Sequence, residues 1–572
     1  MKISDRYYWL IATVAFLFSL TGVLVAEDTA QAAAAKTETA IVAEGAAADE
    51  LTDDGAGEVE EVEEVEEVEE TEETEETEEV DDSEQPEEKT CQDFGAFNIF
   101  KNSGASLTLS LDNAISSALS QNIALKVEKI GPELARTVVE KERAKFDTSV
   151  SADFSGSERI GKTIFQQGNM GENVTNRTDA GIVFEKLSTT GTRSALDVTF
   201  GRSRSARSDN LFSTRLGITL THPLRRGGGR DVNLVSFKKA GLDLEWSEYE
   251  LKGFILNFVA QVEKQYWEYY LSLRQLEIVR ESLQLAKQQR DETRKRIEAG
   301  SIAESEEAAA DAEVALRAED LINAESAAVE MAISLLRSVN PDSDNFWKTR
   351  PELLDEPVLT RPERLSLEEH IAVAVEMRPE LQQTRLLLSR DELDIVASRN
   401  GMLPKLDFFM NLGKTGYSTS FSGSNPRPGE EGSYDISAGF TYDLTRGRRA
   451  ARADLARAKA SAGMRREALN NLEQLVKEDV IKAYLEVERT LQQLTATAAT
   501  SQKQLEKLRV EEVKFNVGKT TAFQVAQAQR DLTAARIAEA RAAVGYTASI
   551  IDLLRADGSL LERNGILSAE KK

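Results

Sequence analysis

The sequence predicts an α+β membrane protein with an internal two-fold sequence repeat, combining long α-helical hairpins with strands of the period a membrane-spanning β-barrel uses. Three observations carry this reading: two proline-free helical runs that each reverse at one glycine, period-two segments ahead of both runs, and a phrase that recurs at a fixed offset.

The helical runs are Leu234–Arg337 and Arg448–Arg555. Neither Leu234–Ala299 nor Arg448–Val517 contains proline. Apolar residues recur there at three- and four-residue steps, as in Leu273, Leu276, Val279, Leu283 and Ala286, or Leu494, Ala498, Ser501, Leu505, Leu508 and Phe515. That is helical periodicity. At about 1.5 Å per residue these arms are rods of roughly 100 Å, far longer than the about 12 residues of a globular helix. The first run turns at Arg296-Ile297-Glu298-Ala299-Gly300-Ser301-Ile302, the second at Lys514-Phe515-Asn516-Val517-Gly518-Lys519-Thr520. Glycine permits left-handed backbone at such a turn. Pairing of Arg296 and Lys514 with nearby Glu298 and Asn516 would leave polar, exposed tips.

The recurring phrase opens each half. Leu109-Ser110-Leu111-Asp112-Asn113-Ala114-Ile115 returns as Leu365-Ser366-Leu367-Glu368-Glu369-His370-Ile371, an offset of 256 that also aligns Leu125 with Leu381. Ser110 suits a helix N-cap, and Ser366 with Glu369 makes a full capping box. Each half then alternates. Thr148–Gly156, Gly181–Lys186, Ala195–Gly201 and Ser213–Thr221 do so in the first, and Leu406–Gly413 and Ser433–Asp443 in the second, around a turn at Gly423–Gly432. Outward positions are assigned to Val150, Phe154, Val183, Phe408, Phe440 and Tyr442. A membrane-spanning barrel and a soluble β-sandwich both fit such segments.

Strand gives way to helix at His222-Pro223-Leu224-Arg225-Arg226-Gly227 and at Tyr442-Asp443-Leu444-Thr445-Arg446-Gly447. The bends at Pro223, Gly227 and Gly447 are crowded by Arg225, Arg226, Arg230, Arg446, Arg448 and Arg449. The glycines lack the Gly-Lys-Ser/Thr ending of a phosphate cradle. A basic collar beside anionic headgroups is the more natural reading.

Charge and targeting concern the first hundred residues. Glu44–Glu88 holds 25 Asp and Glu and no Lys or Arg; without it the net charge of −28 becomes −3. Val59–Glu79 repeats Val-Glu-Glu and then Thr-Glu-Glu, a composition that cannot bury enough apolar surface to order itself. Residues 27–106 therefore read as an acidic tether. Upstream, Lys2 and Arg6 precede the apolar run Tyr7–Ala26, with small-residue exits at Ala26 and at Ala30-Gln31-Ala32. This is the layout of a signal peptide ending at 26, or as late as 32; a retained membrane helix is the competing reading. The single cysteine, Cys91, excludes an internal disulfide. His222 and His370 lack metal-ligand spacing, and no catalytic, cofactor-binding or metal constellation is expected.

These residues resemble the TolC-type outer-membrane efflux family. The resemblance rests on the Leu109–Leu119 opening and its echo at Leu365, the Pro-Leu-x-x-Gly bend, the glycine turns after Arg296 and Lys514, and Val525-Ala526-Gln527-Ala528-Gln529-Arg530-Asp531-Leu532. It spans about Leu107 to Asp557 and implies two efflux-protein repeats, 107–340 and 365–557, joined by a proline-rich connector at 341–364 and followed by a tail at 558–572. It further implies a homotrimer whose strands close one transmembrane β-barrel and whose hairpins form a periplasmic α-barrel. The chain would then be a passive exit duct of a tripartite efflux or type I secretion system in a diderm bacterium. A periplasmic adaptor and an inner-membrane transporter would dock on tips formed by Arg296, Gly300, Ser301, Lys514, Gly518 and Lys519. Lipid is the other expected partner, and nucleic acid is not.

Two departures stand out. The first half has room for four strands where the family commonly has two, so either the barrel exceeds twelve strands or a hairpin around Gly181–Gly201 lies outside it. Gln524 and Gln527 occupy entrance-lining positions that are acidic in some members. A structural coiled-coil protein tethering the outer membrane to the cell wall is the alternative function.

Overall fold

The computed structural model describes residues 106–164, 170–205, 208–300, 303–339, 349–357, 366–425, 433–444 and 446–566. The signal segment, the acidic tether, Cys91 and Ser301 lie outside the described residues.

The chain opens with β1 (Ser106–Leu109), α1 (Leu111–Gln121) and α2 (Ile123–Ala144). Ser110 caps α1 by accepting the Asn113 N–H at 3.3 Å, and Asn122 caps α2 by accepting the Leu125 N–H at 3.2 Å. Strands β2 (Thr148–Ile164), β3 (Met170–Leu187), β4 (Arg193–Ser205) and β5 (Ser208–Pro223) follow. A short turn of helix, α3 (Arg230–Asn233), leads into α4 (Val235–Glu298), which returns as α5 (Ser305–Val339). The second half begins with β6 (Arg350–Leu353) and continues through α6 (Leu367–Met377) and α7 (Pro379–Gly401) to β7 (Lys405–Ser418) and β8 (Ser433–Asp443). It ends with α8 (Arg449–Asn516), α9 (Ala522–Ala556) and α10 (Leu560–Arg563). At the start of α6, Ser366 and Glu369 make a reciprocal capping box.

Corresponding elements have matched lengths. The short helices have 11 and 22 residues in the first half and 11 and 23 in the second; the long helices have 64 and 68, the return helices 35 each.

Strands β2-β3-β4-β5-β7-β8 form one six-stranded sheet in that order, antiparallel at every step. The hairpin around Gly181–Gly201 is thus not a projection from the sheet, because β3 and β4 each pair on both sides. The proline-rich connector contains β6, which pairs in parallel with β1 at the end of the supposed tether. Short-range pattern could not show this pairing, because each strand has only four residues. Tyrosines of α4 hold this small sheet: the Tyr266 hydroxyl donates to the Leu109 carbonyl at 3.1 Å and that of Tyr269 to the Pro351 carbonyl at 3.0 Å.

The main core lies where α4 crosses α1, α5 and the chain end. Tyr266, Leu335, Leu125 and Val259 are essentially inaccessible there, and Leu560 and Leu561 of α10 plug it from one side. A second core joins α6, α7, α8 and α9 through Ala374, Leu381, Val476, Val480 and Leu553. A third, Leu508, Phe515, Val525 and Leu532, zips the end of the second hairpin. Along α8 the inward residues Ser501, Leu508 and Phe515 recur at seven-residue steps, whereas Leu505, expected in the same stripe, is exposed. Among the described residues no helix is long and apolar enough to cross a membrane.

One buried acid stands out in the main core. Glu263 of α4 is 5% exposed, and its Oε1 accepts from Asn564 Nδ2 at 2.5 Å. Burial pushes its carboxyl up to about 7, against the lowering effect of the Asn564 amide, and the charge of Asp112 adds to the rise. The folded protein therefore keeps a proton that the unfolded chain releases near 4.5. Stability linked to that proton is complete below the unfolded value and is lost as pH rises through 7. Glu263→Gln should raise the thermal midpoint at pH 8, by up to about 3 kcal/mol in stability, and leave it unchanged at pH 4.5. Denaturation scans of wild type and variant at the two pH values check this.

Candidate functional site

Residues opposite each other in adjacent antiparallel strands share a face, so the register sorts the six-stranded sheet into two surfaces. Val150, Phe184, Leu196, Ile218, Leu412 and Ile436 form one unbroken row across all six strands. The neighbouring row on that face reads Ala152, Ile182, Val198 and Leu216 before Lys414 and Tyr434. Aromatic residues bound this apolar band. Phe154, Phe200 and Phe212 lie toward one end, and Phe408, Phe440 and Tyr442 toward the other. Val183, expected to point outward, faces the other way: it pairs with Ser151 and Asp197, while its neighbour Phe184 holds the outward position. A strand's faces alternate with period two, so the local run could not say which of two adjacent apolar residues points out.

The opposite face is polar, and four aspartates on it each sit across from a glycine. The pairs are Asp153 with Gly181, Asp179 with Gly201, Asp197 with Gly217 and Asp435 with Gly413. A Cβ at Gly181, Gly217 or Gly413 would come within 3 Å of the facing carboxylate. The missing side chains let the aspartates lie flat on the sheet. Between them Arg215 of β5 makes a two-pronged contact with Asp435 of β8, at 2.6 and 3.0 Å, and lies 3.7 Å from Asp197 of β4. One guanidinium thus ties three strands together across this face, reaching over β7. This cluster was missed in the sequence; glycines spaced through otherwise alternating strands were its one available signal.

Both strand-to-helix bends converge on the end of α7. The Gly227 N–H donates to Asn400 Oδ1 at 2.8 Å, and the Arg448 guanidinium donates to the Met402 carbonyl at 2.7 Å. Gly227 and Gly447 have φ of 85° and 90°. Pro223 ends β5, opposite Asp407.

At the far end of the rods, Gly300 and Gly518 have φ of 71° and 70° and open space around them. Gly518 donates to the Phe515 carbonyl at 3.0 Å and Lys519 to that of Lys514 at 2.8 Å, closing the last turn of α8. Gly300 likewise donates to Ile297 at 2.8 Å. Arg296 is not paired with Glu298. It contacts Glu292, reaches the second hairpin at Asn516 Oδ1 (2.8 Å) and the Phe515 carbonyl (3.3 Å), and stacks 4.4 Å above the Phe515 ring. Helical spacing puts Glu292 one turn from Arg296, whereas Glu298 points elsewhere.

Lys514 pairs instead with Glu511 at 2.7 Å and holds that carboxyl below its ordinary value. Lys514, Lys519, Gln524 and Gln527 line one cavity of about 580 Å³ with Lys507, Glu511, Thr520 and Phe523. Gln524 contacts Thr520, and Gln527 donates to Asp531 at 2.8 Å. With Lys514 on Glu511 and Lys507 on Asp531 at 2.7 Å, Lys519 leaves the cavity wall with a small positive excess.

Neither histidine sits in a reactive arrangement. His370 Nδ1 lies 2.7 Å from Asp557 in the buried core, and Ser559 bonds the other oxygen of the same carboxylate, so serine and histidine face the acid and not each other. His222 contacts Thr192 at 2.7 Å.

A sheet with one apolar and one polar face, continued into two long helical hairpins, finds its match in a known family. The sequence profile of the outer membrane efflux protein family matches residues 192–340 and 371–559, more than half of the chain. The chain belongs to the outer membrane efflux protein family. That membership makes it an outer-membrane efflux protein, of a family that is not one of enzymes, and sets its place in the outer membrane.

Solved structures agree in fold. The chain is similar to the outer-membrane channel OprN at 16% identity and a TM-score of 0.60, over 78% of this chain and 90% of that one. It is similar to the Campylobacter jejuni CmeC outer membrane channel at 15% and 0.58, over 79% and 86%. It is also similar to the Vibrio cholerae outer membrane protein VceC at 14% and 0.57, over 78% and 96%. No curated protein sequence shows a significant match. The family match begins at the threshold of β4, so β2 and β3 lie ahead of it although the sheet incorporates them fully.

If the aspartates depend on the facing glycines, Gly217→Ala must displace Asp197 and disturb Arg215. The expected cost is about 1–3 kcal/mol, as for other overpacked sites. Gly156→Ala, where nothing lies within 4 Å, should be near neutral. Heat-denaturation midpoints of the two detergent-solubilised variants check the difference.

Proposed function

We propose that this efflux-family protein is the passive exit duct of a tripartite efflux or type I secretion system. In this reading three copies close one barrel, and the hairpins extend into the periplasm as an α-helical tunnel. The observation that carries it is the sheet itself: one face is apolar, the other polar, and among the described residues both edges are open. Edge strand β2 exposes Val150, Phe154 and Ile160, and edge strand β8 exposes Tyr434, Ile436, Phe440 and Tyr442. Open edges cannot stand in hydrocarbon, because every backbone group there needs a partner. Six strands are also too few to close a barrel, the smallest membrane barrels having about eight. Pairing of β8 on one copy with β2 on the next satisfies both requirements.

Three copies bring eighteen strands, a size at which barrels of about 16–18 strands keep an aqueous channel. On α2 the exposed stripe Ile123, Val127, Ile130, Leu134 and Val138 would be covered by the same association. The matched element lengths support derivation of 107–340 and 365–557 from one duplicated unit. The tips around Gly300 and Gly518, with Ser301, Lys514 and Lys519, are where a periplasmic adaptor and inner-membrane transporter would dock. Arg296 would join the two tips rather than meet the partner directly. With Gln524 and Gln527 in a lysine-lined cavity, the entrance would not draw cations.

Two experiments test this reading. The full-length protein in detergent should have the native mass of a trimer and conduct ions in planar bilayers; a folded species without conductance would favour the cell-wall tether. Gly518→Val strains a left-handed turn by about 1–3 kcal/mol, little beside two long packed rods. Protein level and membrane insertion should stay near normal while export and adaptor crosslinking fall. Unchanged export with unchanged crosslinking would remove the tip from the mechanism.

A further inference from the structure

The apolar face of the sheet changes character toward the bends. Along β5, β7 and β8 the successive rows read Ile218, Leu412, Ile436; then Leu220, Met410, Ala438; then His222, Phe408, Phe440. Two further hydrogen bonds carry the ladder past Pro223, from Leu224 N–H to the Leu406 carbonyl at 2.7 Å and from Arg226 N–H to the Pro404 carbonyl at 3.3 Å. The next row is therefore Leu224, Leu406 and Tyr442, and Arg226 begins the one after it. On the neighbouring strand, exposed Leu444 follows the end of β8 and Arg446 comes two residues later.

Aliphatic, aromatic and cationic layers thus succeed one another in the order of a bilayer leaflet: hydrocarbon, interface, headgroup. The distances agree. From Thr214 to Leu224 the strand covers about 33 Å at 3.3 Å per residue, and at a tilt of about 40° this is a height of about 25 Å, that of a barrel's apolar band.

Five arginines cluster at this boundary: Arg225, Arg226 and Arg230 on the first bend, Arg446 and Arg449 on the second. All are exposed, and none forms an ion pair with another described residue. Of the acids nearby, Asp231 faces Lys238 at 3.5 Å and Asp407 faces Lys405 at 3.3 Å, while Asp443 and Asp454 pair with none of the five. Arg448 is set apart, since its guanidinium serves the Met402 carbonyl. The bends are held by α7, so the cations are presented at a fixed height. A guanidinium fork matches phosphate oxygens in a two-pronged geometry.

We propose that Arg225, Arg226, Arg230, Arg446 and Arg449 form a collar that binds the phosphate groups of anionic lipids in the leaflet on the helical side of the membrane. The collar sets the depth of the barrel and gives the protein a preference among lipids. It rests on the reading that the apolar face lies in the bilayer.

The test uses the full-length protein reconstituted into vesicles of phosphatidylcholine with added phosphatidylglycerol, and into phosphatidylcholine alone. Lipid retained after detergent extraction is identified by mass spectrometry. The expected result is enrichment of phosphatidylglycerol several-fold over its share of the vesicle, with a raised thermal midpoint in its presence. Both effects should be lost in Arg226→Gln/Arg446→Gln and partly kept in Arg226→Lys/Arg446→Lys. Insertion without enrichment, or equal enrichment in the glutamine variant, overturns the collar and leaves the membrane reading intact. Equal stabilisation by inorganic phosphate in detergent overturns the headgroup as its ligand. Failure to insert into either vesicle overturns the membrane reading and the collar together. If the glutamine variant does not insert, enrichment by the wild type alone decides.

Discussion

A backbone amide in hydrocarbon must find its acceptor within the protein, and much of this structure follows from that constraint. It requires the strands to pair in one uninterrupted ladder, which the six strands do although they come from two distant parts of the chain. The junction between halves is the β5–β7 pairing, where Phe212–Pro223 meets Asp407–Ser418. In the proposed barrel the same constraint forbids open edges in lipid, and the edge strands β2 and β8 are where a second copy would pair. Side chains then divide by parity. A continuous apolar row on one face and aspartate–glycine pairs on the other are consequences of one register, and a slip of one residue would exchange them.

The helical part obeys a different logic. A rod of more than sixty residues cannot be stabilised by local hydrogen bonds alone and depends on an apolar seam. Here the seams are divided into three cores, two where several helices meet and one between α8 and α9 at the end of the second hairpin. The end of α7 receives contacts from both bends, so the sheet and the two long helices share one anchor. At the opposite end Arg296 fastens the first hairpin to the second through the Phe515 ring and the Asn516 amide. Within one chain the hairpins are thus joined at both ends.

The charged groups are distributed by region and not by overall composition. The sheet's polar face carries aspartates restrained by Arg215, while the cavity at the second tip is lined by lysines. The formal charge of −28 belongs almost wholly to the segment before the fold, so it says nothing of either surface. Glu263 and the His370–Asp557 pair sit in the packed cores and hold the C-terminal turn in place. They are polar contacts of the scaffold.

The sequence by itself determined the long elements and their order, because each leaves a local trace: proline-free helical period in the rods, alternation in the six long strands, serine caps at Ser110 and Ser366, glycine at both reversals. It also carried the family resemblance. Partners distant along the chain were decided only by the tertiary structure. Val183 and Phe184 are equally apolar, and only the register with Ser151 and Asp197 shows which of them turns to the polar face. Whether the Gly181–Gly201 hairpin belongs to the sheet depended on pairings with strands on either side. The parallel contact of β1 with β6 joins residues over two hundred positions apart, too short a pattern to stand out in either. Arg215 reaches Asp435 across 220 residues, and Arg296 turns to Asn516 instead of Glu298. Periodicity reports what one residue does relative to its own element; which group stands across from it is set by packing, which no local window contains.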